Sequence, residues 1–208
     1  MKSKLFILNT NDPSICEIEC GDNLTTKYSI KVPTLSAYAV EYMTVNISGS
    51  TALLDNSTIS NDKLIIHATT ESGLQRHDLM LFIHYHGIRK YDLLFPSIKE
   101  KELRVRLGEF YREAELAFDN TSWLTFLLMC GAIFEGILFS KIAENKPFNF
   151  LIKEASRLKI IRADEADIMN KVREYRNLVH ANKFDKAYVS REDAMDTMRL
   201  LNSIIQNA

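Results

Sequence analysis

The chain has 208 residues, a formal net charge of −1, and 46% hydrophobic against 25% charged side chains. That length fits one large or two small domains, and the apolar share lets each half bury a core. Near-neutrality excludes a surface that grips nucleic acid all over and leaves only local basic patches, while three scattered cysteines exclude a disulfide framework.

The chain opens with Met-Lys-Ser-Lys-Leu-Phe-Ile-Leu, a basic start and a short apolar run. Asn9, Asn11 and Asp12 cut that run short of a signal-peptide core, so a cytoplasmic location is expected. Residues 1–97 then have strand character. Runs 5–8, 15–20, 27–32, 38–47, 51–54, 63–69, 78–86 and 88–95 are rich in Val, Ile, Tyr, Phe and Thr, with Asn, Asp, Gly and Ser clusters between them. Their number and spacing predict an antiparallel β-sandwich or small barrel, with His86-Gly87 turning the last two strands into a hairpin. Cys16 and Cys20 lack a second ligand pair at zinc spacing. His84 and His86 share a strand face, and His67 or His77 are the nearest further imidazoles. Spacing places no carboxylate or thiol beside them, so neither a metal nor a cofactor is expected.

From Ile98 the period becomes helical. Leu103, Leu107, Phe110, Ala114 and Ala117 form one apolar stripe at i, i+4, i+7, i+11 and i+14. Asp119-Asn120-Thr121-Ser122 offers capping side chains to a second helix that runs to about Ala143. Its segment 123–139 approaches membrane-spanning length, but Glu135 and two glycines interrupt it, and a central bundle helix is the expectation. A third helix is predicted over about 149–159 and a fourth over about 164–182. Ser190-Arg191-Glu192-Asp193 resembles a capping box for a fifth, whose buried face is Ala194, Met198, Leu201 and Ile205. Short connections make this a five-helix bundle.

On the fourth helix Ile168, Val172, Tyr175 and Val179 repeat as an inward stripe. Arg173, Arg176, Asn177 and His180 repeat at i, i+3, i+4 and i+7 as a second stripe, well over 90° away at about 100° per residue, and so expected to point out of the bundle. Two readings stay open: a solvated helix face, or one side of a cleft shared with a second copy. The residue types suit RNA cleavage. Arginine holds a phosphate with a planar fork and stabilises charge on its oxygens. Histidine titrates near neutrality and can move the proton of a 2′-hydroxyl or of a leaving oxygen. His180, if in the last helical turn, has its imidazolium favoured by the helix dipole. Asn177 could orient the histidine or the phosphate. Arg157, Lys159 and Arg162, just before this helix, could extend a path for an RNA backbone.

The segment Val172-Arg-Glu-Tyr-Arg-Asn-Leu-Val-His180, followed by a loop and a capped final helix, resembles the signature region of the HEPN superfamily. Glu113-Ala-Glu115 and the small-residue helix containing Gly131-Ala-Ile-Phe-Glu-Gly136 are similar to the first helix pair of HEPN-like families. The likeness spans about residues 103–205 and does not extend to residues 1–97. It implies a helical bundle that dimerises, and in many members a metal-independent ribonuclease of toxin–antitoxin, phage-defence or RNA-processing systems; other members are inactive scaffolds. The family pattern is an arginine, four to six residues, then a histidine, often with a polar residue after the arginine. Arg173 meets the spacing but is followed by Glu174; Arg176 is followed by Asn177 but stands only three residues from His180.

The sequence therefore predicts an α+β protein: a β-rich domain over 1–97 and a HEPN-like five-helix bundle over 98–208. It predicts a homodimer without a membrane segment, with RNA and a protein partner such as an antitoxin as candidate ligands. One function is an endoribonuclease using Arg173, Arg176 and His180, with Asn177 and Glu135 in support. The other is a non-catalytic dimerisation module whose β domain recognises a partner.

Overall fold

The computed structural model describes residues 1–20, 25–47, 50–53, 57–69, 78–183 and 185–206. The chain divides into two compact units, Met1–Lys90 and Tyr91–Ala208.

Among the described residues the first unit holds two four-stranded antiparallel sheets. One joins β1 (Lys2–Asn9), β8 (Asp78–Ile88), β4 (Tyr38–Ile47) and β5 (Ser50–Leu53), in that order. The other joins β2 (Cys16–Cys20), β3 (Thr25–Lys31), β7 (Lys63–Thr69) and β6 (Ser57–Ser60). Period-two alternation sends Phe6, Leu8, Met43, Val45, Leu79, Leu81 and Ile83 to the buried face of the first sheet, and Tyr28, Ile30, Leu64 and Ile66 to that of the second. Ile7 and Tyr42 stand on the opposite, exposed face.

The expected hairpin at His86-Gly87 is absent. β8 runs through it to Ile88, and the register against β4 slips on either side of Val40, from Tyr38↔Ile88 to Val40↔Tyr85 to Tyr42↔His84. Gly87 therefore sits in a bulged stretch of one strand, which a lone glycine in a strand marks as readily as a turn. Residues 88–95 likewise form no separate strand, since Ile88 closes β8. Beyond Ile88 the chain forms a 3-10 turn, Tyr91–Leu94, whose Leu94 is buried, as is the following Phe95. A short apolar run bounded by charge cannot be told from a buried turn by periodicity.

The second unit contains α1 (Lys101–Asp119), α2 (Trp123–Ile142), α3 (Phe148–Arg157), α4 (Ala163–Tyr175) and α5 (Arg191–Gln206). Among the described residues α2 is the one helix long and apolar enough to cross a membrane by length and composition. It packs against α1, α3, α4 and α5. Its Phe126, Leu127, Cys130, Ile133 and Phe134 are fully buried, and each large apolar side chain contributes roughly 1.5–3 kcal/mol. The 119–122 segment does not cap α2 through a side chain. Asn120 instead donates its Nδ2 to the Leu116 carbonyl at 2.8 Å, closing α1, and Thr121 turns the chain at φ 56°.

α3 ends in a paired Schellman arrangement: Ile160 N–H to Ala155 O at 2.8 Å and Lys159 N–H to Ser156 O at 3.1 Å. The left-handed position is taken by Lys159 at φ 57° rather than by glycine, which costs about 1–2 kcal/mol. The Ser190 capping box is present in both directions: Asp193 N–H to Ser190 Oγ at 3.1 Å and Ser190 N–H to Asp193 Oδ2 at 3.1 Å.

Candidate functional site

The candidate residues lie where α4 ends. The α-helix stops at Tyr175, not near Asn182, and tightens into a 3-10 turn, Arg176–Val179. Asn177 and β-branched Val179 are weak helix formers, and nothing C-terminal to them restores the stripe. His180 follows in extended backbone, its N–H bonded to the Asn177 carbonyl at 3.3 Å. It is exposed and stands beyond the α-helix, as the residue that closes the 3-10 turn.

The faces of α4 also differ from the periodic reading. Glu165, Ala166, Met169 and Val172 are the buried residues, whereas Ile168 and Tyr175 are half-buried and Val179 is 53% exposed. The interior face is thus centred on Met169, which shares an angular sector with the arginines. Arg173 and Arg176 continue that face at its C-terminal end, where Arg173 is half-buried and Arg176 is exposed at its head. Gly131 of α2 makes the approach possible: a Cβ there would meet Val172 Cγ1 at 3.2 Å and Arg176 Cδ at 4.0 Å. The Arg176 stem lies along α2, and its Nη1 donates to Glu135 Oε2 at 3.1 Å.

Glu135, Arg173, Arg176 and Asn177 line one open groove, together with Glu174 and residues 147–149 at the start of α3. Arg173 is partly sunk: its Nε is buried and lacks a hydrogen-bond partner, and its Nη2 is 3.8 Å from Glu174 Oε1. Two guanidiniums and two carboxylates leave the groove close to neutral. A phosphate entering it would have to compete with Glu135 for Arg176, while Arg173 offers a donor edge less firmly held. His180 is not among the side chains lining the groove.

The other basic residues lie elsewhere. Arg157 is held in a fork by Glu154, and Arg162 by Asp164 at 3.1 and 3.2 Å. Hydrogen bonding to those carboxylates pushes both arginines further up from their ordinary range. Lys159 is exposed. From Arg162 to Arg173 the helix rises roughly 16 Å, so the two basic groups are separate features.

One cluster escaped sequence reasoning. Asp193 accepts from Tyr175 Oη at 2.6 Å and Ser190 Oγ at 2.7 Å and is paired with Lys171. It therefore pins the last turn of α4 to the start of α5. Burial pushes the Asp193 carboxyl up, but the bonds from Lys171, Tyr175 and Ser190 outweigh it and hold the group well below the usual carboxylate range. Burial, then the Asp193 bond, pushes the Tyr175 phenol up to about 12. The capping box was the only local signal for this carboxylate.

On the sheets, His84 Nδ1 is 2.9 Å from Ser3 Oγ and His86 Nε2 is 2.7 Å from Glu41 Oε2. His67 belongs to β7 of the other sheet, and His77 lies outside the described residues. Among the described residues no group of three or more His, Cys, Asp or Glu could hold a metal ion. Cys16 and Cys130 are buried free thiols, and burial raises both above their ordinary range. No family model, curated protein or solved structure matches this chain.

Proposed function

We propose that the helical unit is a HEPN-like bundle and that the chain acts as a metal-independent endoribonuclease of a toxin or phage-defence type. The observation that carries this reading is the convergence of Arg173, Arg176, Asn177 and Glu135 on one groove at the α2–α4 contact. In it Arg173 and Arg176 hold the scissile phosphate, with Asn177 orienting it. Glu135 keeps Arg176 aligned until RNA displaces it. His180 is the general acid/base, and because it stands outside its own groove it serves the groove of a second copy in a cytoplasmic homodimer. An antitoxin-like protein would restrain the activity. The β-rich unit, whose sheets each bury one face, is proposed to be a sandwich that recognises such a partner.

The test is RNA cleavage and growth arrest by the wild type against His180→Ala and Arg173→Ala. Loss of both activities in both variants is expected, and equal behaviour of wild type and His180→Ala would sink the nuclease.

A specific pair favours a second reading. Arg176 is already neutralised by Glu135, and its histidine lies outside the groove, as in a binding module without catalysis. That reading predicts a dimer that binds a partner but leaves RNA intact in every variant.

A further inference from the structure

Between α2, the start of α4 and the end of α5 the bundle leaves a hollow of about 200 Å³. Phe134, Ile137, Leu138, Ile161, Met169 and Ile204 wall it. Phe134, Leu138 and Met169 are at most 1% exposed, so its floor is the bundle core itself. The mouth has the opposite character, with three cations, Lys141, Lys159 and Arg162, against one carboxylate, Glu165. Glu165 is already committed: it accepts the Arg162 N–H at 2.8 Å and pairs with the Arg162 guanidinium at 3.2 Å. Lys141 and Lys159 have no ion-pair partner among the described residues. Lys159 also holds the left-handed α3 terminus that glycine would occupy with less strain.

From this geometry we infer a second binding site, distinct from the Arg/Asn groove, for a small organic carboxylate. Its apolar body fills the hollow, and its carboxylate meets Lys141 and Lys159 at the mouth. Size sets the body: an apolar cavity of roughly 150 Å³ takes up benzene, so this one admits a single substituted ring or a short chain. Charge sets the head group, because an anion compensates two lysines that a neutral guest would leave unpaired. An RNA backbone fits poorly here, since it would bring phosphates but nothing to fill the apolar floor. The inference stands independently of the nuclease reading.

The test titrates the full chain with benzoate, phenylacetate and hexanoate, and with benzyl alcohol and benzylamine as neutral and cationic isosteres. Calorimetry and the thermal midpoint are both read. The carboxylates should bind and raise the midpoint, with benzyl alcohol about tenfold weaker and benzylamine silent. Lys159→Gly separates binding from folding: it relieves the left-handed backbone, so the midpoint should hold or rise while benzoate affinity falls about fivefold or more. Lys141→Ala should weaken benzoate similarly. No carboxylate binding, equal binding of benzyl alcohol, or undiminished affinity in the Lys141→Ala, Lys159→Gly double variant would each overturn the proposal.

Discussion

Arg176 and Glu135 meet at 3.1 Å across 41 residues of sequence, joining the 3-10 turn after α4 to the middle of α2. Their side chains are 48% and 35% exposed, so solvent screens the pair and its share of stability is about 0.5 kcal/mol. Its larger effect is on the groove, where Glu135 occupies the guanidinium an incoming phosphate needs. Glu135→Gln should therefore shift urea denaturation little. It should raise the affinity for a single-stranded RNA several-fold, most strongly at low salt. Fluorescence anisotropy at two salt concentrations reads this, and weaker binding by the variant would show that Glu135 supports the ligand rather than competing with it.

Arg173 and His180 should separate binding from chemistry. Arg173 lines the groove with a partly sunk guanidinium, whereas His180 is exposed outside it. Arg173→Ala should weaken RNA binding and lower the salt dependence by about one released counterion. His180→Ala should leave both unchanged and abolish cleavage. A His180→Ala variant that binds RNA as poorly as Arg173→Ala would place the histidine in the binding surface.

Asp193 should govern stability at acid pH. It caps α5 and takes hydrogen bonds from Tyr175 and Ser190 with its side chain only 11% exposed. Asp193→Ala removes a cap and strands the Tyr175 hydroxyl, and about 2–4 kcal/mol should be lost. Its folded carboxyl titrates below the ordinary 3.8, so its contribution is complete above that value and lost as pH falls further. Tyr175 gives the alkaline counterpart: its folded value is raised from 10.0 to about 12, so stability falls as pH rises through that interval. Chemical denaturation across pH should show both limbs in the wild type. Tyr175→Phe should lack its share of the alkaline limb, and an unchanged limb would assign it to other groups.

The helices were legible because burial repeats every three or four residues: Leu107, Ala114 and Ala117 of α1 lie where the stripe put them, as do Ala194, Leu201 and Ile205 of α5. The Ser190 box was legible because capping is local chemistry. What failed depended on contacts between distant segments. A helical wheel places Ile168, Val172, Tyr175 and Val179 on one side, but of these only Val172 is buried, because α2 selects the face that runs through Ala166 and Met169, and the helix ends before Val179. The same cause hid the Arg176–Glu135 pair, for Glu135 could be named as a supporter without any spacing to say whom it supports. Gly87 misled for a different reason, since a glycine in a strand serves a bulge or a turn equally well and only the partner strand decides.

Gly108 tests how tightly the Tyr91–Leu94 turn is seated on α1. A Cβ at Gly108 would lie 2.8 Å from the Asp92 nitrogen and 2.9 Å from the Tyr91 carbonyl carbon, both backbone atoms. Tyr91 Oη is tied to Glu115 Oε2 at 2.9 Å, and the Tyr91 and Phe95 rings pack on Tyr111, so this backbone is held on either side. Gly136 is crowded too, at 2.6 Å from Leu107 Cδ2, but there the neighbour is the end of a side chain that can rotate. Alanine gains about 1 kcal/mol over glycine in a helix interior. That gain should offset much of the strain in Gly136→Ala and little of it in Gly108→Ala, where the turn itself must lift. Urea denaturation should show Gly108→Ala losing about 2–3 kcal/mol, within the range of overpacked cores, and Gly136→Ala less than half of that. Equal losses would mean that the turn moves as easily as a leucine side chain.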